Sequence, residues 1–138
     1  MPLTNADYRE IIDLTARYSW ALDVTRDAAA VADTFTEDGV FVGDAGEEAR
    51  GRAELIRAFE RTWERWAQSA PLRHWTSNHV INGHNNEATH DCYILLLALE
   101  ETGARVDRTG IYRDRLQRVD GHWLFTERQV SIDQYPRF

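Results

Sequence analysis

Asp23 and His74 are the two residues of this chain whose types and positions could do chemistry together. Asp23 ends the helical stretch Arg17-Tyr-Ser-Trp-Ala-Leu-Asp23, and His74 lies in the strand-like stretch Arg73-His-Trp-Thr-Ser-Asn78. A carboxylate that holds an imidazole makes a general base that works near neutral pH without a metal or cofactor. The alternatives are an aspartate that faces solvent or ends a helix, and a histidine satisfied in the core. Whether the fold brings the two side chains together distinguishes the general base from these structural roles.

Composition limits the classes of function that are open to the chain. Its 138 residues fit one domain, 1–138, and 43% hydrophobic residues allow a packed core. The formal charge of −7 disfavours binding to nucleic acid or to a membrane surface. All 16 basic residues are arginine, so a lysine Schiff base, ordinary pyridoxal phosphate binding and a P-loop lysine are excluded. Without a signal-like apolar run or a stretch of ~18 apolar residues, we expect a cytoplasmic protein.

The sequence contains no metal-binding or dinucleotide-binding motif and no nucleophile elbow. Four histidines besides His74 lie in expected strands or turns without ligand spacing, namely His79, His84, His90 and His122. We therefore expect no metal site and no cofactor. Cys92 lies in an apolar strand without an evident base, which predicts a buried and inert thiol.

The first half of the chain predicts three helices. Thr4 and Asp7 form a capping-box pattern before apolar residues at helical spacing, and Asp27 is a good N-cap for a short helix that reaches Phe35. A third helix carries one apolar face, made of Leu55, Ile56, Phe59, Trp63 and Trp66. Between the second and third helices we expect a short strand at 40–42 and an acidic, glycine-rich loop at 43–51.

The second half predicts long antiparallel strands, at 72–81, 89–99, about 105–118 and 122–133. Their turn signals are Asn82-Gly83, Thr102-Gly103 and Asp120-Gly121. Helices followed by a meandering sheet predict an α+β domain with the helices packed on one sheet face.

These elements, in this order, resemble the SnoaL-like branch of the nuclear transport factor 2 superfamily. The resemblance rests on six stretches, which are Tyr18-Ser-Trp-Ala-Leu-Asp23, Asp33-Thr-Phe-Thr-Glu-Asp38, Gly51-Arg-Ala-Glu-Leu-Ile56, Arg73-His-Trp-Thr-Ser-Asn78, Gly110-Ile-Tyr-Arg-Asp114 and Asp120-Gly-His-Trp-Leu-Phe-Thr-Glu-Arg128. It implies a cone-shaped α+β barrel, with three N-terminal helices on a strongly curved, mostly antiparallel sheet. A hydrophobic pocket would lie at the open end.

The resemblance also implies roles for particular residues. Scytalone dehydratase, hexachlorocyclohexane dehydrochlorinase and bile-acid 7α-dehydratase belong to this branch, and each removes a proton with an Asp–His pair that Asp23 and His74 match. Tyr18 matches a tyrosine of the bile-acid enzyme and would donate a hydrogen bond or a proton. Arg128 matches an arginine of the dehydrochlorinase and would stabilise negative charge. Leu96 stands where the bile-acid enzyme has an acid, so the substrate and leaving group stay open.

The roles that the resemblance implies for Tyr18 and Arg128 each have a structural alternative. Tyr18 lies on an apolar helix face, where tyrosines commonly pack with a bonded hydroxyl. Arg128 shares strand parity with Leu124, Val130 and Ile132, so it is expected on an apolar face. A buried arginine needs a partner, which is either a structural carboxylate or a substrate anion.

The implied pocket suits a hydrophobic substrate of polyketide, terpenoid or steroid type. Its expected lining is Trp20, Phe41, Phe59, Trp63, Trp75, Asn78, Ile94, Leu96 and Tyr112. Trp20 and Trp75 adjoin the candidate base in sequence, although Trp75 has the opposite strand parity to His74. Trp63 has core or subunit packing as its alternative, and Asn78 would orient a ligand carbonyl or bond within the sheet.

We expect a cofactor-independent lyase or isomerase of the dehydratase type. The alternatives are a polyketide-type cyclase that uses the same pocket, and a non-catalytic module for small-molecule binding or assembly. Trp123 and Phe125 alternate with Leu124, Val130 and Ile132, so both faces of the last strand would be apolar. This pattern predicts a homodimer or homotrimer packed through the sheet.

Overall fold

The structure is a computed structural model that describes residues 1–134. Within them lie three α-helices and six β-strands. The helices are α1 (Asn5–Trp20), α2 (Ala28–Ala32) and α3 (Arg52–Trp66), and a π-helical turn, Ala21–Thr25, continues α1. The strands are β1 (Phe35–Val42), β2 (Glu48–Arg50), β3 (Leu72–His84), β4 (Glu87–Glu100), β5 (Gly103–Val119) and β6 (His122–Ile132).

The strands form one mixed sheet in the order β2-β1-β6-β5-β4-β3. Only the β1–β6 pair is parallel among the described strands, so the sheet is mostly antiparallel, as expected. Irregularities interrupt the register of the β1–β6, β3–β4, β4–β5 and β5–β6 pairs. Each bulge bends its strand and increases the local twist, which curves the sheet around the helices. The sheet stays open, with β2 and β3 at its edges.

The N-terminal helix begins and packs as its sequence predicts. Thr4 and Asp7 form the capping box, and Asp7 Oδ1 also accepts a hydrogen bond from Trp123 Nε1 at 3.0 Å. Ile11, Leu14 and Tyr18 recur at helical spacing and are buried against the sheet. Asp27 caps α2 by accepting from the backbone N–H of Ala30 at 3.1 Å. No helix within residues 1–134 is long and apolar enough to cross a membrane.

Three boundaries differ from the sequence prediction. α2 ends at Ala32 rather than at Phe35, because Phe35 pairs with β6 and opens β1. The segment expected to be a loop at 43–51 contains β2, which pairs with the end of β1. The Asn82-Gly83 turn is wrong as well, since β3 continues through it and turns at Asn85, whose φ is 56°.

A glycine is required at position 83 because the neighbouring strand leaves no space for a side chain, and not because the chain turns there. A Cβ atom at this position would lie 2.5 Å from the carbonyl oxygen of Glu87 and 2.9 Å from Ala88 Cβ. The two arms of the β3–β4 hairpin therefore approach too closely for any side chain. A glycine next to an asparagine has the same sequence pattern in a turn and at such a crossing, which is why the prediction failed.

A bulge in β6 also reverses the predicted sides of that strand. Arg115 pairs with Glu127 and Leu116 pairs with Phe125, so Thr126 is the extra residue between them. Trp123 and Phe125 are consequently fully buried in the core rather than on an outer face. The expectation that both faces of β6 are apolar because of these two rings is wrong.

Past the bulge, Arg128 points into the core and is fully buried. Its Nε and one terminal nitrogen donate to Oδ1 and Oδ2 of Asp114 at 2.8 and 2.7 Å. The guanidinium carbon lies 4.4 Å from the ring centre of Tyr18, 4.0 Å from Tyr112 and 4.1 Å from Phe125. Its remaining Nη1 has no hydrogen-bond acceptor among the described residues, so aromatic faces surround it instead. The partner of Arg128 is thus a structural carboxylate.

The electrostatics of the pair follow from burial and mutual attraction. Burial alone would raise the pKa of Asp114, but the charge and hydrogen bonds of Arg128 outweigh it and hold that pKa below its usual range. Burial likewise lowers the pKa of Arg128, and the Asp114 carboxylate more than offsets it, so the pKa is raised. Both groups are therefore charged at neutral pH, although neither side chain is exposed to solvent.

We predict that Arg128→Met lowers the free energy of unfolding by about 3–5 kcal/mol, because it leaves Asp114 buried and uncompensated. The double variant Arg128→Met/Asp114→Asn should recover part of this loss, since no charge then remains. Urea unfolding measures both values. Arg17→Met is the control, since Arg17 pairs with Asp13 at the surface and should cost less than about 1 kcal/mol. A loss as small as that of the control would contradict the prediction.

The lowered pKa of Asp114 also sets a pH dependence. Its contribution to stability is fully present above the usual carboxyl pKa and is lost as the pH falls through the lowered value. The free energy of unfolding should therefore fall less steeply with decreasing pH in Asp114→Asn than in the wild type, as urea unfolding at a series of acidic pH values measures.

Candidate active site

A cavity of about 350 Å³ opens between α1, α3 and the concave face of the sheet. This volume lies within the range of roughly 300–1,000 Å³ that small-molecule sites occupy. Its walls are mostly aromatic and aliphatic, made of Tyr18, Leu22, Phe41, Phe59, Trp66, Leu96, Tyr112, Val130 and Ile132, with Thr62 and His74 as further polar groups. Exposed charged residues surround its mouth, namely Asp44, Glu47, Arg65 and Arg108.

Asp23 reaches His74, in the cavity wall, because α1 ends irregularly. The helix continues as the π-helical turn Ala21–Thr25, which terminates at Arg26 with a left-handed φ of 49°. The indole Nε1 of Trp63 donates to the carbonyl oxygen of Leu22 at 2.9 Å and fixes this turn against α3. π-helical turns widen a helix locally and are common at functional sites. Here the turn directs the Asp23 carboxylate towards the start of β3.

Asp23 holds His74 by two hydrogen bonds. The backbone N–H of His74 donates to Oδ2 at 2.6 Å, and the ring Nδ1 lies 2.6 Å from Oδ1. The two side chains are only 4% and 7% exposed. Because a carboxylate accepts hydrogen bonds, Nδ1 carries the proton and Nε2 keeps its lone pair. Within residues 1–134 no hydrogen bond engages Nε2, and His74 lines the cavity.

Two tyrosines face the same cavity. Tyr18 and Tyr112 are almost completely buried, with ring centres 6.0 Å apart in an edge-to-face arrangement. Burial raises the pKa of the Tyr18 hydroxyl, while the Arg128 charge and a hydrogen bond with Tyr112 oppose this to a smaller extent. Burial also raises the pKa of Tyr112. Both phenols therefore keep their protons and can act as hydrogen-bond donors.

Three residues that we expected in the lining face away from it. The Trp20 side chain projects from the outer side of α1, and this residue is 64% exposed. Trp75 is 61% exposed on the outer face of β3, in keeping with its opposite parity to His74. Asn78 has a left-handed φ of 56° in a β3 bulge that turns it to solvent, so it does not bind a ligand here.

Three further residues lie inside the protein but not in the cavity. Arg128 is closed off by Asp114 and the rings, so it cannot contact a substrate, and the expected direct role is wrong. Ile94 is buried in the core beneath the sheet, and Trp63 packs against the π-helical turn. Of the expected lining, Phe41, Phe59, Leu96 and Tyr112 do line the cavity, together with the catalytic candidates Tyr18 and His74.

The cavity mouth and part of its wall were not predicted from the sequence. Trp66 follows Phe59 by seven residues on α3 and tilts over the His74 ring at 6.0 Å, so helical spacing was a usable signal. Val130 and Ile132 were placed on the apolar face of β6, but the bulge that directs them inwards has no signal of its own. The charged residues of the mouth come from the segment between β1 and β2, which holds Asp44 and Glu47, from α3 with Arg65 and from β5 with Arg108, so they share no sequence pattern.

A comparison with known domain families matches the SnoaL-like domain over residues 4–129. Among solved structures, a Catenulispora acidiphila protein in complex with S-DNPA is 32% identical with a TM-score of 0.83, covering 94% of this chain and 96% of that one. A Nostoc punctiforme protein with a cystatin-like fold is 31% identical with a TM-score of 0.84, covering 96% of each chain. ActVI-ORFA from Streptomyces coelicolor is 27% identical with a TM-score of 0.80, covering 91% of this chain and 97% of that one. No curated protein matches the chain.

These similarities agree with the open, curved sheet and with the cavity that it encloses. The family match spans most of the chain rather than one motif, and it includes both Asp23 and His74. The chain belongs to the SnoaL-like domain family.

Proposed function

We propose that this chain is a cofactor-independent enzyme, a lyase or isomerase of the dehydratase type, that removes a proton from a carbon atom of a hydrophobic small molecule. The observation that carries the proposal is the contact of Asp23 with His74 Nδ1 at 2.6 Å in the wall of an aromatic cavity. Membership of the SnoaL-like family supports it, because isomerases, cyclases and dehydratases belong to that family.

Proton abstraction uses the nitrogen that Asp23 leaves open. His74 Nε2 takes a proton from a carbon next to a carbonyl group, and the electron pair moves onto the carbonyl oxygen. The resulting imidazolium is stabilised because its Nδ1–H donates to the Asp23 carboxylate. In a lyase the enolate then expels a leaving group from the β-carbon, and His74 returns its proton to that group or to solvent. In an isomerase the proton returns to a different carbon.

The Tyr18 hydroxyl is the donor for the oxygen that becomes negative. It lies in the cavity lining and keeps its proton because burial raises its pKa. Arg128 acts here only through the rings, as its guanidinium carbon lies 4.4 and 4.0 Å from the ring centres of Tyr18 and Tyr112. A fixed positive charge at that distance strengthens a phenol as a hydrogen-bond donor. Arg128 is therefore a positioning residue.

The lining favours a flat, mostly apolar substrate. Phe41 and Phe59 contact each other with ring centres 5.3 Å apart, and Trp66 adds a third aromatic wall beside His74. Such a surface suits a polyketide-, terpenoid- or steroid-like ring system with one reactive carbonyl group. A second candidate function, a polyketide-type cyclase, uses the same carbanion to attack within the substrate. The aromatic cavity favours the cyclase, because it would hold the chain of the substrate in a folded conformation.

We predict that His74→Ala and Asp23→Asn each lower the rate on a turned-over substrate by about 10²–10⁴-fold, and that the double variant loses little more. The losses do not add because Asp23 acts only through the imidazole.

The assay begins with a binding screen of hydrophobic ketones and alcohols together with S-DNPA, followed by product analysis of each compound bound. His122→Ala is the control, because the side chain of His122 is exposed far from the cavity. Full activity of a folded His74→Ala variant would overturn the mechanism. Binding with no product from any bound compound would favour the non-catalytic module.

A second prediction concerns Tyr18. If its hydroxyl stabilises the enolate oxygen, Tyr18→Phe should lower kcat with little change in KM, because the bond strengthens only in the transition state. Tyr8→Phe is the control, since Tyr8 lies partly exposed on the same helix. An equal loss in both variants, or none in Tyr18→Phe, would remove the tyrosine from the mechanism.

We further propose that two copies pack through the outer face of β3, β4 and β5. Trp75, Tyr93 and Val106 are large apolar residues exposed on that face. An apolar patch of this kind is typical of an interface between subunits. The proposal replaces the argument from Trp123 and Phe125, which are buried.

Light scattering should therefore report a dimer at micromolar concentration, and Trp75→Glu should shift it to the monomer. Trp20→Glu should leave the dimer intact, because Trp20 is equally exposed on the helical side. A wild-type monomer would contradict the proposal.

A further inference from the structure

Three potential metal ligands lie together on the inner face of the sheet, apart from the candidate active site. The ligand atoms of His79, His90 and Cys92 all lie within 4.8 Å of one another. His90 and Cys92 are buried and His79 is half-buried. None of the three lines the cavity that contains His74.

A β-bulge brings this cluster together. His90 and Cys92 are two residues apart on β4, so they share its inner face. On β3 regular alternation would point Asn78 inwards and His79 outwards, but the register shifts between Ser77 and Val80. Asn78 takes a left-handed φ of 56°, and the bulge turns His79 inwards. Bulges often re-aim a side chain in this way, which is why sequence spacing gave no ligand pattern.

The hydrogen bonds of His90 orient it as a ligand. Its Nδ1 donates to Asp114 Oδ2 at 2.8 Å, so the lone pair of its Nε2 points towards His79. His79 Nδ1 lies 2.9 Å from that Nε2, and the planes of the two rings are within 17° of each other. A carboxylate behind a histidine fixes its tautomer and raises its basicity in metal sites. Arg128 in turn fixes the carboxylate of Asp114.

We propose that His79 Nδ1, His90 Nε2 and Cys92 Sγ bind one Cu(I) ion. On binding, the Cys92 thiol releases its proton to solvent and the thiolate sulfur bonds to copper. The proton on His79 Nδ1 moves to Nε2 of the same ring, which frees the lone pair that coordinates the metal. Copper stays Cu(I) throughout, and one proton is released for each ion bound.

The balance of charge selects a monovalent cation. Arg128 and Asp114 cancel each other, and the two histidines are neutral as ligands. A thiolate with Cu(I) therefore adds no net charge to the buried site, whereas a divalent ion would leave one positive charge near Arg128. Sulfur and imidazole ligands suit Cu(I), and a structural zinc ion would take four protein ligands rather than three.

The site needs one small movement to accept the ion. The two ring nitrogens are at hydrogen-bond distance, 2.9 Å, and they must separate by roughly half an ångström to ligate one metal at ~2.0–2.1 Å each. His79 is the ligand able to move, because it lies on the edge strand β3 and is half-buried. Its exposed side also gives the ion a path from solvent.

The test titrates the purified protein with Cu(I) under anaerobic conditions, in competition with a chromophoric Cu(I) chelator. We expect one Cu(I) per chain, and X-ray absorption showing one sulfur and two nitrogen ligands. Cys92→Ser and His79→Asn should each weaken binding by more than about 100-fold, beyond the 10–100-fold that changes around a ligand set cost. His79→Asn places an amide N–H near the position of Nδ1 and so keeps the hydrogen bond to His90 while removing the lone pair.

His84→Ala is the matched control, because His84 lies 2.7 Å from the N-terminal amine and could form a competing surface site. Circular dichroism and melting temperature verify that each variant folds. If Cys92→Ser fails to fold, His79→Asn decides the question, since its side chain is half-buried. The proposal is overturned if wild type does not bind Cu(I), if only His84→Ala loses binding, or if Zn²⁺ displaces Cu(I).

Discussion

The buried guanidinium of Arg128 is the constraint on which the rest of this structure depends. A buried charge needs a full set of compensating groups, and here they come from two other parts of the chain, β5 and α1. Asp114 faces Arg128 across the β5–β6 pair, Tyr112 lies two residues before it on β5, and Tyr18 comes from α1. The arrangement requires the bulge at Thr126, because without it Arg128 would point to the outer face. One cation therefore fixes how α1 sits on the sheet and how the cavity floor is shaped.

Much of this fold follows from the sequence, and what failed has a common cause. Apolar spacing on α1, the capping box at Thr4 and the long strands are local patterns, so they were predictable. The β6 and β3 bulges are not local, because an extra residue is accommodated only when the partner strand and the core require it. A bulge puts the residues before it and after it out of phase in the alternation of the two faces. This change of phase accounts for the misplaced Trp123 and Phe125, and Asn78 lies within a bulge itself.

The same distinction between local and non-local patterns holds for the candidate site. The contact between Asp23 and His74 was expected from a resemblance, and the π-helical turn that achieves it leaves no clear trace in the sequence. The partner of Arg128 stayed open between a carboxylate and a substrate anion, because an arginine on an apolar face has the same pattern in both cases. Asp114 carried a signal that went unused. It shares strand parity with Tyr112 and Leu116, so it is an acid on an apolar face, in need of a buried cation.

The described residues include two buried Asp–His pairs, and comparing them shows why His74 rather than His90 is the proposed base. In both pairs the carboxylate binds Nδ1, at 2.6 Å for Asp23–His74 and 2.8 Å for Asp114–His90. The difference lies at the other end of each ring. Nε2 of His90 meets His79 and no cavity, and both oxygens of Asp114 are already committed to Arg128. Within residues 1–134, Nε2 of His74 has no such partner, and its ring lies in the wall of the cavity, which is open to a ligand. The proposed catalysis depends less on having an Asp–His pair than on leaving one ring nitrogen unoccupied beside a cavity that a ligand can fill.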